Sequence, residues 1–180
     1  MLCIKIQRAL PLRRHNARMP IRPYQSGDAA ALFQVFQTAI HQTAAADYSP
    51  AQINAWAPPD RDPQAWQAHM DAIAPFVFAD AQGRILAYAS LDAGGYIDHF
   101  FVHGDHARQG LGNALMASIL QRAQQLQLPL LSADVSRTAQ PFFARHGFVV
   151  VEERTPVRFG VAIPNALMHK SLHAVSALAH

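Results

Sequence analysis

Residues 100 to 115 read Phe-Phe-Val-His-Gly-Asp-His-Ala-Arg-Gln-Gly-Leu-Gly-Asn-Ala-Leu, and the rest of the chain is organised around them. An apolar run rich in β-forming residues ends at Gly104, and a polar loop follows it. Gly110 and Gly112 then open an amphipathic helix. A glycine loop at a helix N-terminus offers backbone N–H groups and the positive end of the helix dipole to an anion. The stretch therefore predicts an anion site, of the kind that binds phosphate.

Two common nucleotide motifs do not fit this loop. Gly104 and Gly110 lie one residue too far apart for a P-loop, and Leu111 stands where that motif has its lysine. The dinucleotide motif needs a third glycine, but Leu115 occupies that position. On this segment alone, a glycine-rich turn without any ligand remains an alternative.

Composition limits the class of protein. With 180 residues, 51% hydrophobic and 15% charged, the chain has the profile of one globular domain and not of a disordered protein. The single cysteine, Cys3, excludes a disulfide framework or a thiolate metal cluster and favours a reducing, cytoplasmic location. Its apolar runs are too short for a membrane span, so we expect no membrane partner.

The net charge of +3 is concentrated at the start of the chain. Residues 1–18 hold five of the 15 Lys and Arg and no acid, which leaves ten basic against 12 acidic residues elsewhere. We therefore expect no nucleic-acid partner for the body, and binding through 1–18 stays a separate hypothesis. Residues 1–18 read as a basic disordered extension, a targeting segment or a mis-assigned start before Met19. The domain is expected over 19–173, with a tail over 174–180.

Periodicity and turn residues predict an alternation of helices and strands after Met19. An edge strand at 20–24 is followed by three helices, the first with Ala31 on its apolar face and the others starting at Pro50 and Pro63. The remaining elements are predicted as strands 76–80, 84–91 and 96–103, a helix 110–126 burying Leu126, a strand 130–134, a helix 138–146 and strands 148–153 and 166–172.

Two motifs on these elements resemble those of the GCN5-related N-acetyltransferase (GNAT) family. One is the loop Ala107-Arg108-Gln109-Gly110-Leu111-Gly112, and the other is Ala139 to Phe148, read as Ala-x-x-Phe-Phe-x-x-x-Gly-Phe. Tyr48-Ser49-Pro50 with Ala55-Trp56 is similar to a bacterial subgroup of uncharacterised acetyltransferases. The resemblance covers about 21–172 and implies an α/β (α+β) fold. Its central sheet is mixed and mostly antiparallel, with helices on both faces and a splayed parallel pair at the cofactor site.

The same resemblance implies acetyl-CoA as co-substrate, with no metal cofactor. The backbone of Phe101 and Val102 would pair with the pantetheine arm, and Ser136 and Phe143 would lie beside it. The pyrophosphate would lie on backbone amides of the loop, at Arg108, Gln109, Gly110, Leu111, Gly112 and Asn113. Ala107 departs from the family, which has Gln or Arg there; Arg108 is a neighbouring source of charge.

Direct attack of an amine on a thioester needs a base for the amine and a donor for the leaving thiolate. A continuous strand would place Tyr96, Asp98, Phe100 and Val102 on one face. The family carries its base on this strand, so Asp98 is the expected base, acting through water, or else a structural aspartate. The acid of the family is a tyrosine where this chain has Phe143. Candidates for its role are Tyr96, Ser136 and His146.

The acceptor is expected against the first helices, where His41, Tyr48 and Trp56 lie near Asp47 in sequence; core packing of Trp56 is the alternative. His99, His103 and His106 look like a metal set, but 99 and 103 are predicted to face away from Asp98, so we expect no metal.

The function expected from the resemblance is acetyl transfer to a primary amine, a small molecule rather than a protein, in a ternary complex. Homodimers are common in the family. The alternative is a non-catalytic acyl-CoA-binding module of the same fold, favoured by Ala107 and by the missing tyrosine.

Overall fold

A computed structural model describes residues 21–172. The extension predicted over 1–18, the tail over 174–180 and the domain limits at 19 and 173 lie outside these residues. The helices and strands of the described part are β1 (Ile21–Pro23), α1 (Ala29–Thr38), α2 (Pro50–Trp56), α3 (Pro63–Ile73), β2 (Phe76–Ala79), β3 (Ile85–Ala89), β4 (Tyr96–Ile97), β5 (Phe100–Val102), α4 (Leu111–Gln125), β6 (Leu130–Ser136), α5 (Gln140–Arg145), β7 (Val149–Arg154), β8 (Val157–Arg158), β9 (Val161–Ala162) and β10 (Asn165–Ser171).

The strands form two four-stranded sheets and a short hairpin. The first sheet has the order β1-β2-β3-β5 and is antiparallel throughout. The second has the order β4-β6-β10-β7, in which β4 and β6 are parallel and the other pairs antiparallel. The predicted mixed, mostly antiparallel α/β fold is therefore confirmed. No helix within residues 21–172 is long and apolar enough to cross a membrane.

Helices cover both faces of the first sheet because its strands alternate between two hydrophobic clusters. On β3, Ala87 and Ala89 belong to the cluster under α4 and α5, whereas Tyr88 belongs to the cluster under α1, α2 and α3. All five residues of β3 are buried, as expected of a strand covered on both faces. The two clusters therefore lie on opposite sides of the sheet.

The predicted strand 96–103 is wrong in one respect, because it is two strands. Tyr96 and Ile97 pair in parallel with Ser132 and Ala133 of β6, whereas Phe100–Val102 pairs with β3. Asp98 and His99 form the link between them, so the period-two alternation does not continue across it. The prediction that Tyr96, Asp98, Phe100 and Val102 share one face is therefore wrong.

Other predictions fail where long-range packing decides the outcome. Leu126 is 36% exposed because it follows the last turn of α4, and Ala31 is exposed on α1. The β8–β9 hairpin was not predicted, since each of its strands has only two residues. A π-helical turn at 39–43 extends α1, which the periodicity did not indicate.

The two family motifs are in direct contact. A Cβ added at Gly112 would lie 3.2 Å from the ring of Phe142, so the absence of a side chain lets the start of α4 approach α5. Asn113 accepts a hydrogen bond from His146 Nε2 at 3.1 Å in the neighbouring turn. The glycine of the loop and the aromatic residue of the second motif therefore form one packing unit.

Gly95 allows β4 to approach β6, and this predicts a strong effect of substitution. Its φ is +89°, and an added Cβ would collide with the backbone carbonyl of Leu130. Gly83 has a similar φ of +80° but open space around it. We expect Gly83→Ala to lower the free energy of unfolding by about 1–2 kcal/mol through backbone strain alone. We expect Gly95→Ala to lower it by an additional amount of about 1–3 kcal/mol, because its Cβ also overlaps the Leu130 carbonyl.

Denaturant unfolding of both variants measures this difference. Equal losses for the two glycines would contradict a close approach of the strands at Gly95.

Candidate active site

The glycine loop presents a row of backbone N–H groups. Arg108 and Gly110 adopt positive φ values of 61° and 88°, and the first helical bond of α4 runs from Ala114 N–H to Gly110 C=O at 3.1 Å. Among the described residues, no acceptor bonds the N–H groups of 108–113. Helix starts leave such donors free, and consecutive free donors bind anions. The loop predicted from the sequence therefore has the geometry of an oxyanion-binding site.

The backbone of β5 is open on the edge away from β3. Ser90 N–H bonds the His99 carbonyl, and His103 N–H bonds the Leu86 carbonyl, so the odd-numbered residues between them face β3. Phe101, in register with Tyr88, therefore has its backbone groups directed at β3. The prediction that Phe101 offers free backbone groups is wrong; Val102 does so, together with Phe100.

The other predicted cofactor residues lie around this edge. Phe143 is only 3% exposed and packs against Phe100, Phe142 and Phe148, so it is a core residue with little surface left for a ligand. Gln109 is exposed and donates to the Asp105 carbonyl at 3.3 Å.

A cavity of about 380 Å³ lies where β4 and β5 diverge. Asp98, Tyr96 and Ser136 line it together, so the three predicted catalytic residues share one site. Its other lining residues come from α1, α2, α3, the β8–β9 hairpin and the strand ends. They include Phe36, Tyr48, Trp56, Arg61, His69, His99, Phe101, Asp134, Arg158 and Asn165.

Asp98 belongs to a chain of side chains that the sequence did not indicate. Its Oδ2 is 3.3 Å from His69 Nε2 and 4.0 Å from His99 Nε2, and the two histidine nitrogens are 3.3 Å apart. His99 Nδ1 lies 2.9 Å from the hydroxyl of the buried Tyr88. The expectation that His99 faces away from Asp98 is wrong. Both residues lie in the link between β4 and β5, where the side chains no longer alternate as in a strand.

Burial determines the protonation of this chain. Desolvation lowers the pKa of His99 to about 3, assisted by electrostatic interaction with His69, Arg61 and Arg158. Desolvation also raises the pKa of Tyr88 well above its ordinary value. At neutral pH His99 is therefore an uncharged imidazole and Tyr88 an uncharged phenol.

The spacing of His69, Asp98 and His99 would also suit a metal ion, since one ligand atom of each lies within 4.8 Å of the others. His99 Nδ1 is already bonded to Tyr88, and Arg61 and Arg158 are close enough to lower the pKa of His99. The same positive charges oppose binding of a divalent cation. His103, from the set considered in the sequence, instead contacts the ring of His106 at 5.6 Å in the loop.

Tyr96 and Ser136 occupy the strand ends of the cleft. The Tyr96 hydroxyl donates to Asp134 at 2.9 Å, and Asp134 also accepts from Arg154 at 3.0 Å. Burial, followed by this carboxylate, raises the pKa of Tyr96 to about 12. Ser136 Oγ accepts from the Ala139 N–H at 3.3 Å. The Tyr96 hydroxyl therefore keeps its proton at neutral pH and donates a hydrogen bond to Asp134, whereas the Ser136 oxygen accepts one.

The predicted acceptor residues divide into two groups. Tyr48 and Trp56 line the cleft and contact each other edge to face at 5.5 Å. Tyr48 is buried and donates to the Pro164 carbonyl at 2.6 Å, so its hydroxyl supports the wall. His41 does not line the cleft; its Nε2 lies 2.9 Å from the Ala57 carbonyl. His41 is therefore bound at the C-terminal end of α2, at the residue next to Trp56 in sequence but outside the cleft lining.

Three site residues had no signal in the sequence. His69 lies on α3, Arg61 precedes it and Arg158 lies on β8. Their spacing along the chain matches no motif, and only the folded arrangement brings them to one cleft. Arg61 is half-buried with its guanidinium over the rings of Phe36 and Trp66, at 5.5 and 5.3 Å.

The neutral His99 predicts a specific dependence of stability on pH. Its pKa is about 3 in the folded state and 6.5 for the free side chain, so the unfolded chain binds the extra proton between these values. Stability is therefore full above pH 6.5 and falls as the pH drops below it, by about 2 kcal/mol at pH 5 from this group. In His99→Asn, whose side chain can still bond Tyr88, we expect a shallower decline. Denaturant unfolding at pH 7, 6 and 5 tests it, and equal slopes would contradict a buried neutral imidazole.

Comparison with known proteins agrees with this geometry. The sequence model of the Acetyltransferase (GNAT) domain matches residues 44–170. The uncharacterized N-acetyltransferase YafP of Escherichia coli is 34% identical over 137 residues, covering 74% of this chain and 83% of YafP. A GCN5-related N-acetyltransferase from Rhodopseudomonas palustris superposes with a TM-score of 0.80 at 31% identity, covering 85% of this chain and 95% of that one. The PaiA N-acetyltransferase of Thermoplasma acidophilum, solved with coenzyme A, gives 0.64 at 13% identity, over 84% and 98%. The chain belongs to the GNAT family of acetyltransferases.

Proposed function

We propose that the protein transfers an acetyl group from acetyl-CoA to the primary amine of a small molecule, within a ternary complex. The supporting observation is that one short stretch of chain carries, in order, Asp98 in the cleft, the open edge of β5 and the free N–H groups of the loop. The proposed phosphate-binding loop and the carboxylate of Asp98 therefore lie at opposite ends of the short strand β5.

The cofactor has two sets of partners in this proposal. Its pyrophosphate is bound by the N–H groups of 108–113, where the dipole of α4 adds positive potential. Its pantetheine arm pairs with the backbone groups of Phe100 and Val102 along the open edge of β5, as an added strand would. The thioester then lies beside Asp98, near the far end of the divergence.

The reaction is a direct acyl transfer. Asp98 accepts a proton from the acceptor ammonium through water, and the freed amine nitrogen attacks the thioester carbonyl carbon. A C–N bond forms, the C–S bond breaks, and the amide product loses its remaining extra proton. His69 is exposed and adjoins Asp98 at 3.3 Å, which gives the accepted proton a route to solvent.

Departure of the thiolate does not require a strong acid. With a pKa of about 12, Tyr96 is a weaker acid than a thiol, whose ordinary pKa is about 8.5. Complete proton transfer from Tyr96 to the thiolate is therefore unfavourable. The Tyr96 hydroxyl already donates to Asp134, so it stabilises the cleft wall. Ser136, whose oxygen accepts from Ala139 and whose O–H has no acceptor among residues 21–172, donates a hydrogen bond while the thiolate leaves and takes its proton from the surrounding water.

A second candidate is an acyl-CoA-binding module without turnover. It is favoured by Ala107, which offers no polar side chain to the cofactor, and by Phe143, which lacks a hydroxyl and is buried. Release of free thiol from acetyl-CoA on addition of amines distinguishes the enzyme from such a module.

Cofactor binding predicts a stabilisation that one glycine controls. Millimolar acetyl-CoA should raise the melting temperature of the wild type, because a ligand that binds only the folded state stabilises it. Gly110→Glu should abolish this shift by placing a carboxylate at the pyrophosphate. Differential scanning fluorimetry with and without acetyl-CoA measures the effect.

Two controls separate charge from strain. Gly110→Ala has the same backbone strain without the charge, and nothing lies within 4 Å of its added Cβ, so it should keep the shift. Gly83→Glu, with a φ of +80° in the β2–β3 turn, should keep it too. If the wild type shows no shift, or Gly110→Glu keeps a full shift, the loop is not the pyrophosphate site.

Loss of the base predicts a change in the pH profile. Asp98→Asn retains the size of the side chain but cannot accept the proton, so kcat should fall by about 100-fold. The remaining rate should also rise more steeply with pH, because without the base only the unprotonated fraction of the amine reacts. Initial rates of thiol release between pH 6 and 9 test both effects.

The matched control is Glu153→Gln, a change of an exposed carboxylate on β7 away from the cleft, which should leave rate and profile unchanged. An Asp98→Asn enzyme with the wild-type pH profile would remove Asp98 as the base.

A further inference from the structure

The walls of the active-site cleft carry two arginines whose charges are not compensated. Arg61 and Arg158 line both the inner cavity of about 380 Å³ and an outer cavity of about 780 Å³. Trp56 is the third residue common to both. The two guanidiniums therefore lie at the boundary between the cavities.

Neither arginine has an anionic partner among residues 21–172. No hydrogen bond or ion pair of either side chain occurs there, whereas Arg22, Arg84 and Arg154 each pair with a carboxylate. Arg61 rests on the rings of Phe36 and Trp66, which fixes its direction. Burial lowers the pKa of Arg61, and the positive charge of Arg158 lowers it further, so the two repel each other.

The carboxylates near the arginines are engaged elsewhere or exposed. In the inner cavity, Asp134 bonds Tyr96 and Arg154, and Asp98 lies against His69. In the outer cavity, Asp62 caps α3 by accepting from Gln64 N–H at 2.9 Å, and Asp60 is exposed. An oxyanion bound between the arginines would relieve their repulsion and accept charge-assisted hydrogen bonds from both.

We infer that the acceptor is an amine that also carries an oxyanion, a carboxylate or a phosphonate, and that Arg61 and Arg158 bind this group. The inference rests on the proposed function, because it assigns the amine to Asp98 in the inner cavity. The oxyanion then lies at the boundary with the outer cavity, between the two guanidiniums. Neutral amines of the same size lack this contact and are poorer acceptors.

Matched acceptor pairs test the inference directly. Phenylalanine is compared with phenethylamine, methionine with 3-(methylthio)propylamine, and 3-aminopropylphosphonate with 3-amino-1-propanol. Thiol release from acetyl-CoA gives kcat/KM for each, and we expect at least one acidic member to exceed its neutral partner by about tenfold or more. Arg158→Gln should remove that preference through the KM of the acceptor and leave the KM of acetyl-CoA unchanged.

Variants distinguish the arginines from a general effect of charge. Arg61→Gln should reduce the preference as Arg158→Gln does; because Arg61 packs on two aromatic rings, its folding is checked first, and the exposed Arg158 provides the independent variant. Arg122→Gln, which changes an exposed arginine of α4, should retain the preference. If neutral amines react as well as acidic ones, or Arg158→Gln keeps the preference, the inference is wrong.

A binding measurement separates this outcome from failure of the proposed function. The melting temperature of the protein saturated with coenzyme A is measured with each member of the pairs. If only the acidic members stabilise the protein, and Arg158→Gln loses this effect, the arginine site is supported. If in addition no thiol is released, only the proposed enzymatic function fails. Absence of both stabilisation and turnover with every acidic member overturns the inference, while a melting shift with coenzyme A leaves cofactor binding intact.

Discussion

The structure depends on the change of partner that the chain makes between Ile97 and Phe100. A strand cannot leave one ladder for another without exposing unpaired backbone groups, and buried unpaired groups are costly. Ser90 solves this locally: its N–H bonds the His99 carbonyl at 2.9 Å, and its hydroxyl accepts the His99 N–H at 3.0 Å. Because these groups are satisfied, β4 can stay with β6 while β5 stays with β3. This change of partner opens the cleft between the two sheets and places Asp98 in its lining.

The same crossing separates two kinds of chemistry. Successive residues of β5 face different clusters: the ring of Phe100 packs against Phe142 and Phe143 beneath the glycine loop, whereas the ring of Phe101 meets Phe36 on the side of the cleft. The proposed phosphate site and the polar cleft thus adjoin opposite faces of this three-residue strand. A rigid strand whose two sides carry different functions holds their relative positions without a flexible linker.

Much of this arrangement could be predicted from the sequence wherever the signal is local. The loop at 107–112 and the helix that follows it are specified by glycines and by apolar spacing within one segment, and both occur as predicted. The break at Asp98 could not be read this way, since each half of 96–102 has the composition of a strand. The partners that divide it lie 36 residues further on, in β6, and 11 to 15 residues back, in β3. His69, Arg61 and Arg158 are single polar residues on separate elements, and only tertiary packing brings them together. His41 is close to Tyr48 in sequence, but it bonds the Ala57 carbonyl and does not line the cleft.

The charges of the cleft form a consistent pattern when burial is considered. Burial, together with the neighbouring His69, Arg61 and Arg158, lowers the pKa of His99 to about 3, although Asp98 lies 4.0 Å away. The imidazole thus contributes no charge, and the positive potential comes from guanidiniums that cannot lose their protons at physiological pH. Removing an arginine from water without a partner lowers stability, so sequences seldom retain such a residue without a compensating role. Arg61 is held against Phe36 and Trp66, which reduces the freedom it would lose on meeting an anion. Its orientation is therefore set before any ligand binds. An anion that enters the cleft would pair with a guanidinium that has no other anionic partner among residues 21–172.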